Sequence, residues 1–309
     1  MKLLITGING FIGRHLQAFF VQEGYELIGI EKSDNFSSTN IKQYAWEELD
    51  KINEVDCIIH LAGLAHDTNN TKLEEEYYQV NTELTRTIYR FFLISSAKTF
   101  IFFSTVKAAA DFSETPLVET VNPKPTTIYG KSKRKAEEYI LDNLPNDGRK
   151  VYILRPCMIH GSGNKGNLNL LFKLQQKGLP WPLGAFENKR SFCSIDNIMF
   201  VVQQLIERNV EPGIYQVADD EALSTNELIR LMALSQNKKA KIWSIPVKSI
   251  KAIARVGDFL HLPLNSERLR KLTESYLVSN QKIKHALGID KMPVTAIDGI
   301  QKTLGSFKK

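Results

Sequence analysis

The sequence contains few cysteines and no long uninterrupted apolar run. Cys57, Cys157 and Cys193 are odd in number and widely spaced, which excludes a disulfide framework or a CxxC metal site. The most apolar stretch, residues 91–106, is interrupted by Lys98 and is too short to cross a bilayer. We therefore expect reduced, buried thiols, no metal site, no membrane segment and a cytoplasmic protein.

Charge of one sign is also in small excess. The 309 residues carry a formal net charge of +6, and 43% hydrophobic with 24% charged residues is ordinary for an enzyme with a proper core. The basic residues read as dispersed, and the cluster at residues 131–135 lies among helix formers, which is typical of a solvated helix face. We expect no nucleic-acid partner and no membrane contact; an anionic small-molecule substrate is compatible with the excess.

What the sequence does contain is a glycine turn near its start. An apolar run of strand length precedes the motif TGINGFIG at residues 6–13, and residues 14–21 repeat apolar positions at helical spacing. In a dinucleotide site Gly7 makes the tight turn, Gly10 lets a pyrophosphate approach, and Gly13 lets helix and strand pack closely. The anion then lies at the helix N-terminus. An ordinary glycine-rich turn is the alternative, which only context decides.

An acidic residue follows the second predicted strand. That strand, residues 26–30, ends at Glu31, close to the distance of about 20 residues at which a carboxylate takes the ribose hydroxyls. A carboxylate there repels a 2′-phosphate and favours NAD over NADP. Lys32 follows directly and offers a phosphate partner, so NADP stays open.

Strand and helix patterns alternate through the first half, which predicts an α/β fold with a Rossmann-type, doubly wound parallel sheet. A strand over residues 55–61 leads to small residues around Gly63, and a strand over residues 99–103 leads to Ser104 and Thr105. Ligands bind at the carboxyl ends of such strands, so both segments are expected at the cofactor edge. Plain strand-to-loop transitions are the alternative.

Two helices carry unusual polar side chains. A helix predicted over residues 73–95 contains Asn81, which competes for backbone hydrogen bonds and needs an explanation. Tyr129 and Lys133 are four residues apart at the start of another helix, so they share one face. Lowering a tyrosine pKa from about 10 by about 3 units takes roughly 4 kcal/mol, which a neighbouring ammonium and a nicotinamide cation can supply. A Tyr and a Lys at this spacing are common by chance. They are rarely a chance match when they follow a dinucleotide-binding turn and a strand that ends in Ser-Thr.

The second half offers substrate contacts. A glycine- and amide-rich segment containing Asn164 and Asn167 opens a helix and can present N–H groups to a diphosphate, although a capped flexible loop is an even alternative. Arg190 is the favoured sugar or phosphate contact, because its planar fork grips such oxygens bidentately. Arg268 and Arg270 compete for a second pyrophosphate contact.

The domain organisation follows from these motifs. Residues 1–160 are predicted to form the NAD(P)-binding Rossmann domain, which also carries the catalytic residues. Residues 161–309 are predicted to form a smaller, mainly substrate-binding α/β lobe, with an approximate boundary across which the chain can return. The further predicted elements are strands over residues 40–44 and 240–245 and helices over residues 225–236, 247–260 and 295–304.

Together these motifs resemble the short-chain dehydrogenase/reductase superfamily, in its extended branch of nucleotide-sugar epimerases and dehydratases. The matching segments are TGxxGxxG at residues 6–13, an HLAG-type segment at residues 60–64, Asn81, Thr105, YxxxK at residues 129–133, LRP at residues 154–156, and an RSFxxxDD-like stretch at residues 190–197. The resemblance implies oxidation or reduction at C4 of a nucleotide-linked sugar. Tyr129 would move the C4 hydroxyl proton, Thr105 would bond the same oxygen, and Lys133 would hold the ribose and tune Tyr129.

The resemblance also implies the remaining contacts. Homodimers of this family form through helices that correspond to residues 75–95 and 127–142. The expected NAD contacts are Gly7, Asn9, Gly10, Phe11, Ile12, Gly13, Glu31, Leu61, Ala62, Gly63, Asn81, Lys133 and Pro156. The expected UDP-sugar contacts are Ser104, Asn164, Asn167, Arg190, Arg268 and Arg270.

Two activities and one non-catalytic role are compatible with the resemblance. Dehydratases of the family carry Asp-Glu after the catalytic Thr, whereas Thr105 is followed by Val106 and Lys107, which disfavours dehydration. A UDP-sugar 4-epimerase, which keeps its NAD, is preferred. The alternative is a reductase of a UDP-4-keto-6-deoxy sugar in surface-polysaccharide synthesis, which releases its cofactor each turnover. A non-catalytic dinucleotide sensor is disfavoured because it would not need Thr105, Tyr129 and Lys133 together.

Overall fold

The computed structural model describes residues 1–32, 41–65, 73–164, 166–260 and 265–307. The predicted strands over residues 2–5, 26–30, 55–61 and 99–103 are all present there. The strands are β1 (Lys2–Thr6), β2 (Glu26–Ile30), β3 (Lys42–Tyr44), β4 (Cys57–His60), β5 (Thr99–Phe103), β6 (Ser113–Leu117), β7 (Lys150–Pro156), β8 (Met158–His160), β9 (Arg190–Ser194), β10 (Gly213–Val217), β11 (Ala222–Leu223) and β12 (Tyr276–Val278). The strand predicted over residues 40–44 is β3, and Asn40 lies outside the described residues.

Seven parallel strands form the larger sheet, in the order β10-β7-β5-β4-β1-β2-β3. The chain extends from β1 to β2 and β3 on one side and to β4, β5, β7 and β10 on the other. The order therefore reverses between β1 and β4, which places a ligand crevice at the carboxyl ends of these two strands. The predicted doubly wound Rossmann-type sheet is confirmed. Its last strand comes from residues 213–217.

Helices cover both faces of this sheet, as the alternating strand residues require. The helices are α1 (Phe11–Gln22), α2 (Glu74–Tyr78), α3 (Leu84–Ile94), α4 (Ile128–Asp142), α5 (Asn167–Gln176), α6 (Ile195–Glu207), α7 (Thr225–Ser235), α8 (Val247–Phe259), α9 (Ser266–Thr273), α10 (Gln281–Leu287) and α11 (Ala296–Ser306). Short 3₁₀ turns occupy Trp46–Lys51 and Val106–Ala108.

The two faces have separate cores. Leu3 of β1 is buried with Leu16 of α1 and with the inner face of α6. Leu4, the next residue of β1, is buried on the opposite face with Ile88 of α3 and Ile140 of α4. Successive residues of one strand thus fix helices on both sides, and α4 is held against the sheet at the edge where β5 ends.

A smaller lobe is built on a second sheet. Its strands run in the order β11-β9-β12-β6, with β8 paired to β9. The core beside it takes apolar side chains from α5, α7, α8, α9 and α11. The helices predicted over residues 225–236, 247–260 and 295–304 are confirmed as α7, α8 and α11.

The strand predicted over residues 240–245 is wrong. Ile242 and Ser244 make only single backbone bridges, to Trp181 and Leu183 respectively. The alternating pattern there reflects two isolated contacts with a loop, and Pro246 leads directly into α8. Alternation over so short a segment does not distinguish a loop that touches a neighbour at every second residue from a strand.

The three thiols are free. Cys57 and Cys193 are buried, Cys157 is partly buried, and burial raises the pKa of all three thiols above the ordinary value. The prediction of buried thiols is confirmed for Cys57 and Cys193. Within the described ranges, no helix is both long and apolar enough to cross a membrane.

We predict that Gly13→Ala destabilises the fold. A Cβ at this position in α1 would lie 2.4 Å from the carbonyl oxygens of Gly7 and Ile8, so the helix would have to move off the turn at a cost of about 1–3 kcal/mol. Urea unfolding measures the change.

Gly305→Ala is the matched control. Gly305 also lies in a helix, and a Cβ there meets no atom within 4 Å. Alanine should therefore stabilise this helix by about 0.5–1 kcal/mol. Equal stability of the Gly13→Ala protein and the wild type would contradict the packing described here.

Candidate active site

The glycine turn closes the crevice between β1 and β4. Gly7 has a φ of +68°, and its N–H donates to the carbonyl of Ile30 at 2.9 Å. A Cβ on Gly7 would lie 2.9 Å from the backbone nitrogen of Ala62, so β1 and the loop after β4 meet here. Gly10 is the exposed N-cap of α1 and provides no side-chain cap. The first N–H groups of α1 are therefore left for an anion.

Glu31 lies beside this turn. Its side chain accepts hydrogen bonds from the backbone N–H of Asn9 at 3.2 Å and of Lys32 at 3.3 Å. The Asn9 side-chain amide donates to Gln43 at 2.8 Å. The buried Glu31 carboxylate thus sits at the carboxyl end of β2, one strand away from the turn.

A chain of hydrogen bonds links the turn to the next helix. The Thr6 hydroxyl accepts from the N–H of Ala62 at 3.1 Å and lies 2.6 Å from Nδ1 of His60. Nε2 of His60 lies 2.9 Å from the Thr85 hydroxyl, which donates to the carbonyl of Asn81 at 2.7 Å. Since Thr85 has one proton, its oxygen accepts from Nε2–H, and Nδ1 accepts from Thr6. The chain requires a neutral imidazole with its proton on Nε2.

The surroundings of His60 maintain that neutral form. Burial, together with the charge of Lys133, holds the pKa of His60 well below its usual value. The imidazole stacks on Phe102 with ring centroids 5.6 Å apart, and Lys133 Nζ lies 4.8 Å from the same phenyl centroid. The buried ring is therefore a fixed structural link at neutral pH.

Asn81 holds the loop after β4. Its side-chain oxygen accepts from the N–H of Leu64 at 2.7 Å, and its amide donates to the Leu64 carbonyl at 3.0 Å and to the Ser132 hydroxyl at 3.0 Å. The single helix predicted over residues 73–95 is wrong in one respect, because Gln79–Glu83 forms a π-turn between α2 and α3. Asn81, the polar side chain that needed an explanation, lies within this π-turn.

Thr105, Tyr129 and Lys133 meet at the carboxyl end of β5. The Thr105 hydroxyl bonds to that of Tyr129, which lowers the tyrosine pKa, but burial is the larger effect and raises the pKa of Tyr129 to about 12. Lys133 Nζ donates to the carbonyl of Phe103 at 2.9 Å. Burial lowers the pKa of Lys133 to about 7, opposed by the charge of Glu137. A Cβ on Gly63 would lie 2.9 Å from Nζ, so Lys133 also reaches the loop after β4.

A buried ion pair lies beneath these groups. Nε and Nη2 of Arg155, on β7, donate to the two carboxylate oxygens of Glu137, on α4, at 2.8 and 2.6 Å. Ser104 donates to the same carboxylate at 2.5 Å, and Arg134 lies 3.3 Å from it. The Ser104 hydroxyl, predicted as a substrate contact, is thus placed on Glu137. The pair ties α4 to the ends of β5 and β7.

Several predicted cofactor residues line the same edge. Phe11 and Ile12 form the first turn of α1, Leu61 immediately follows β4, and Pro156 is the last residue of β7. Phe11 lies close to Gly161, at the start of the segment predicted to contact the substrate.

The predicted substrate residues are spread over the smaller lobe. The backbone N–H of Asn164 donates to the carbonyl of Gly161 at 3.2 Å, and the side chain of Asn167 lies outside what the structure describes. The Arg190 guanidinium donates to the carbonyls of Glu274, at 3.0 Å, and Lys271. Exposed Arg268 and Arg270 lie on α9.

Lys107 was not among the predicted contacts. It lies two residues after Thr105, and its carbonyl is within 2.4 Å of a Cβ built on Gly130. Burial lowers the pKa of Lys107, with smaller effects from Asp111, which raises it, and from Lys271 and Arg190, which lower it. The charges of Lys271 and Arg190 thus act on Lys107, whose backbone N–H donates to the Thr105 hydroxyl at 3.3 Å. The sequence did hold a signal for Lys107, because a lysine stands where the dehydratases of the family carry an acidic residue.

The His60 chain and the Arg155–Glu137 pair were also missed by sequence reasoning. Arg155 lies in the LRP segment, and Glu137 follows Lys133 of the YxxxK motif by four residues. The spacing of Lys133 and Glu137 places them on one face of α4. It does not show that this face meets β7, because the pair joins residues 18 positions apart in the sequence.

We predict that Arg155→Met strongly destabilises the protein. The change leaves the carboxylate of Glu137 buried without its guanidinium, which costs about 3–5 kcal/mol. The double variant Glu137→Gln/Arg155→Met removes both charges and should recover most of that loss. A double-mutant cycle in urea measures both, and additive effects would show that the two side chains do not act as a pair.

Comparison with known proteins agrees with this geometry. A family model described as the NAD dependent epimerase/dehydratase family matches residues 3–218. The UDP-glucose 4-epimerase of Vibrio cholerae is 27% identical over 320 residues, covering 99% of this chain and 95% of that protein. The GDP-6-deoxy-D-mannose reductase of Pseudomonas aeruginosa is 23% identical over 267 residues, covering 82% and 86% respectively.

A solved structure shares the fold. The UDP-glucose 4-epimerase of Thermotoga maritima, determined with UDP-glucose, superposes with a TM-score of 0.76 at 20% identity, covering 100% of this chain and 99% of that one. Together with the family match, this confirms the resemblance expected from the motifs. The chain belongs to the NAD dependent epimerase/dehydratase family.

Proposed function

We propose that the crevice between β1 and β4 binds NAD and that the protein epimerises a UDP-sugar at C4. The residues present fit the dinucleotide. The turn from Gly7 to Gly13 brings the N-terminus of α1 to the crevice, and its N-cap Gly10 has no side chain, which suits a pyrophosphate. The Glu31 carboxylate at the end of β2 suits the ribose hydroxyls and opposes a 2′-phosphate.

Asn81 and Lys133 are assigned to the nicotinamide half of this site. Asn81 fixes the loop after β4 through both of its side-chain atoms. Lys133 Nζ lies at Gly63 of that loop and beside the carboxyl end of β5, where its remaining protons can reach ribose hydroxyls. Bound NAD would supply the hydride acceptor and, in its oxidised form, a positive charge next to Tyr129.

The hydrogen bond between Thr105 and Tyr129 is the observation that carries the catalytic proposal. Two hydroxyls aimed at one point can share the C4 oxygen of a sugar, with Thr105 orienting it and Tyr129 taking its proton. Burial holds Tyr129 as a neutral phenol in the protein alone. Tyr129 thus becomes a base only when positive charge at the cofactor and on Lys133 lowers its pKa.

Residues 1–160 are proposed to carry the cofactor and the proton-transfer groups, and residues 161–309 mainly the substrate, with β10 returning to the larger sheet. Lys107, whose backbone N–H donates to the Thr105 hydroxyl, and Arg190, whose charge acts on Lys107, are proposed to meet the diphosphate of a nucleotide-sugar. A dimer through the outer sides of α3 and α4, which pack together, completes the proposal. The buried thiols of Cys57 and Cys193 are consistent with a reducing cytoplasm.

The reductase of Pseudomonas aeruginosa supports one alternative, a 4-ketoreductase.

Purified protein is first analysed for bound NAD(H), then given UDP-glucose or UDP-N-acetylglucosamine without added cofactor. Bound NAD and conversion to the C4 epimer are expected. Protein that purifies without cofactor, leaves both sugars unchanged and oxidises NADH or NADPH only with a 4-keto-6-deoxy sugar would instead be the reductase.

We predict that Tyr129→Phe lowers kcat by about 10²- to 10⁴-fold, because it removes only the proton-transferring hydroxyl. NAD content should stay unchanged. Tyr139→Phe is the matched control, since that hydroxyl lies on the same helix and accepts from Arg90 at 3.1 Å. Unimpaired turnover by Tyr129→Phe would refute the catalytic assignment.

A further inference from the structure

The net positive charge of the chain comes from one segment. Residues 237–273 contain nine lysines and arginines and two acidic residues, whereas the rest of the chain contains 31 basic and 32 acidic residues. Most basic residues are dispersed, as expected, but acidic residues are scarce in this segment, so the net charge is local. The whole excess belongs to α8, α9 and the segment that leads into them.

Helix α8 divides into three faces. Ile250, Ala254 and Gly257 are buried against the smaller lobe. At about 100° per residue, an exposed apolar face about 120° wide follows on one side of the helix. Its apolar members are Ala252, Ile253, Val256, Phe259 and the C-cap residue Leu260, with the exposed Ser249 among them. Val256 is 54% exposed and Phe259 is 84% exposed.

The third face of α8 is cationic. Lys248, Lys251 and Arg255 are all exposed and lie along the border of the apolar face, at helical spacing. An exposed tryptophan, Trp243, lies in the segment just before the helix. Apolar side chains bordered by lysine and arginine on one exposed helix are the pattern of a helix that lies in a membrane interface.

We propose that α8 docks this protein peripherally on an anionic lipid surface. The apolar face would enter the boundary between headgroups and acyl chains, while Lys248, Lys251 and Arg255 meet the lipid phosphates. This mode of contact needs no spanning helix, and it departs from the expectation of no membrane contact.

Charge separates this occupant from two others. A second copy of this chain, docked face to face through α8, would bring two segments of the same strong positive charge together. A nucleic acid would match the cations but would leave Ile253, Val256 and Phe259 in water. An anionic bilayer satisfies both the cationic and the apolar face.

Co-sedimentation of the full chain with vesicles tests the proposal. Vesicles of phosphatidylcholine containing phosphatidylglycerol should bind the protein, whereas phosphatidylcholine alone should bind it much less, and added salt should weaken the binding. Val256→Glu/Phe259→Glu should lower the partition coefficient about ten-fold or more. Lys251→Gln and Arg255→Gln should each lower it about five-fold.

Val21→Glu is the matched control. Val21 is an exposed apolar residue, 52% exposed, on α1, and glutamate there adds one carboxylate away from α8, which should leave vesicle binding unchanged. Four results would overturn the proposal. These are equal binding to neutral and anionic vesicles, binding that survives the changes in α8, capture of duplex DNA without capture of vesicles, and a shift to monomer in Val256→Glu/Phe259→Glu without wild-type vesicle binding. Cofactor content and turnover are measured separately, so failure here leaves the epimerase proposal intact.

Discussion

The buried carboxylate of Glu137 is the group on which the candidate site depends. It accepts two bonds from Arg155 and one from Ser104, so one side chain joins α4 to the ends of β5 and β7. Such a pair gains little net stability over apolar packing, because both ions lose hydration. Its value here is positional: Tyr129 and Lys133 lie on the same helix, and Thr105 follows Ser104. Glu137 also raises the pKa of Lys133 against the effect of burial.

A second set of buried polar groups fixes the cofactor side. The chain from Thr6 through His60 and Thr85 to Asn81 has one donor for each acceptor, and the neutral imidazole completes it without a buried charge. Because buried polar groups are costly unless paired, this chain admits few alternative positions for the loop that Asn81 holds. The crevice is thus shaped by its hydrogen bonds before any cofactor enters.

The sequence predicted those elements that are determined by contacts between residues close together in the chain. The turn from Gly7 to Gly13, the β5 strand and the start of α4 follow from apolar spacing and glycine placement, and they were found where predicted. Residues far apart in sequence determine what was missed. The pairing of Arg155 with Glu137 and the approach of Lys271 to Lys107 depend on how helices and strands pack, and the strand predicted over residues 240–245 failed because a loop, not a sheet, lies beside it.

We propose that hydride leaves C4 of a UDP-sugar and returns to the opposite face of the same carbon, with NAD, when bound, supplying the hydride acceptor. Substrate labelled with deuterium at C4, given to the protein with unlabelled free NADH present and followed by mass analysis, tests this. The C4 epimer should keep its deuterium through every turnover. Loss of the label to the free cofactor pool would show that the cofactor leaves between half-reactions and would contradict the epimerase assignment.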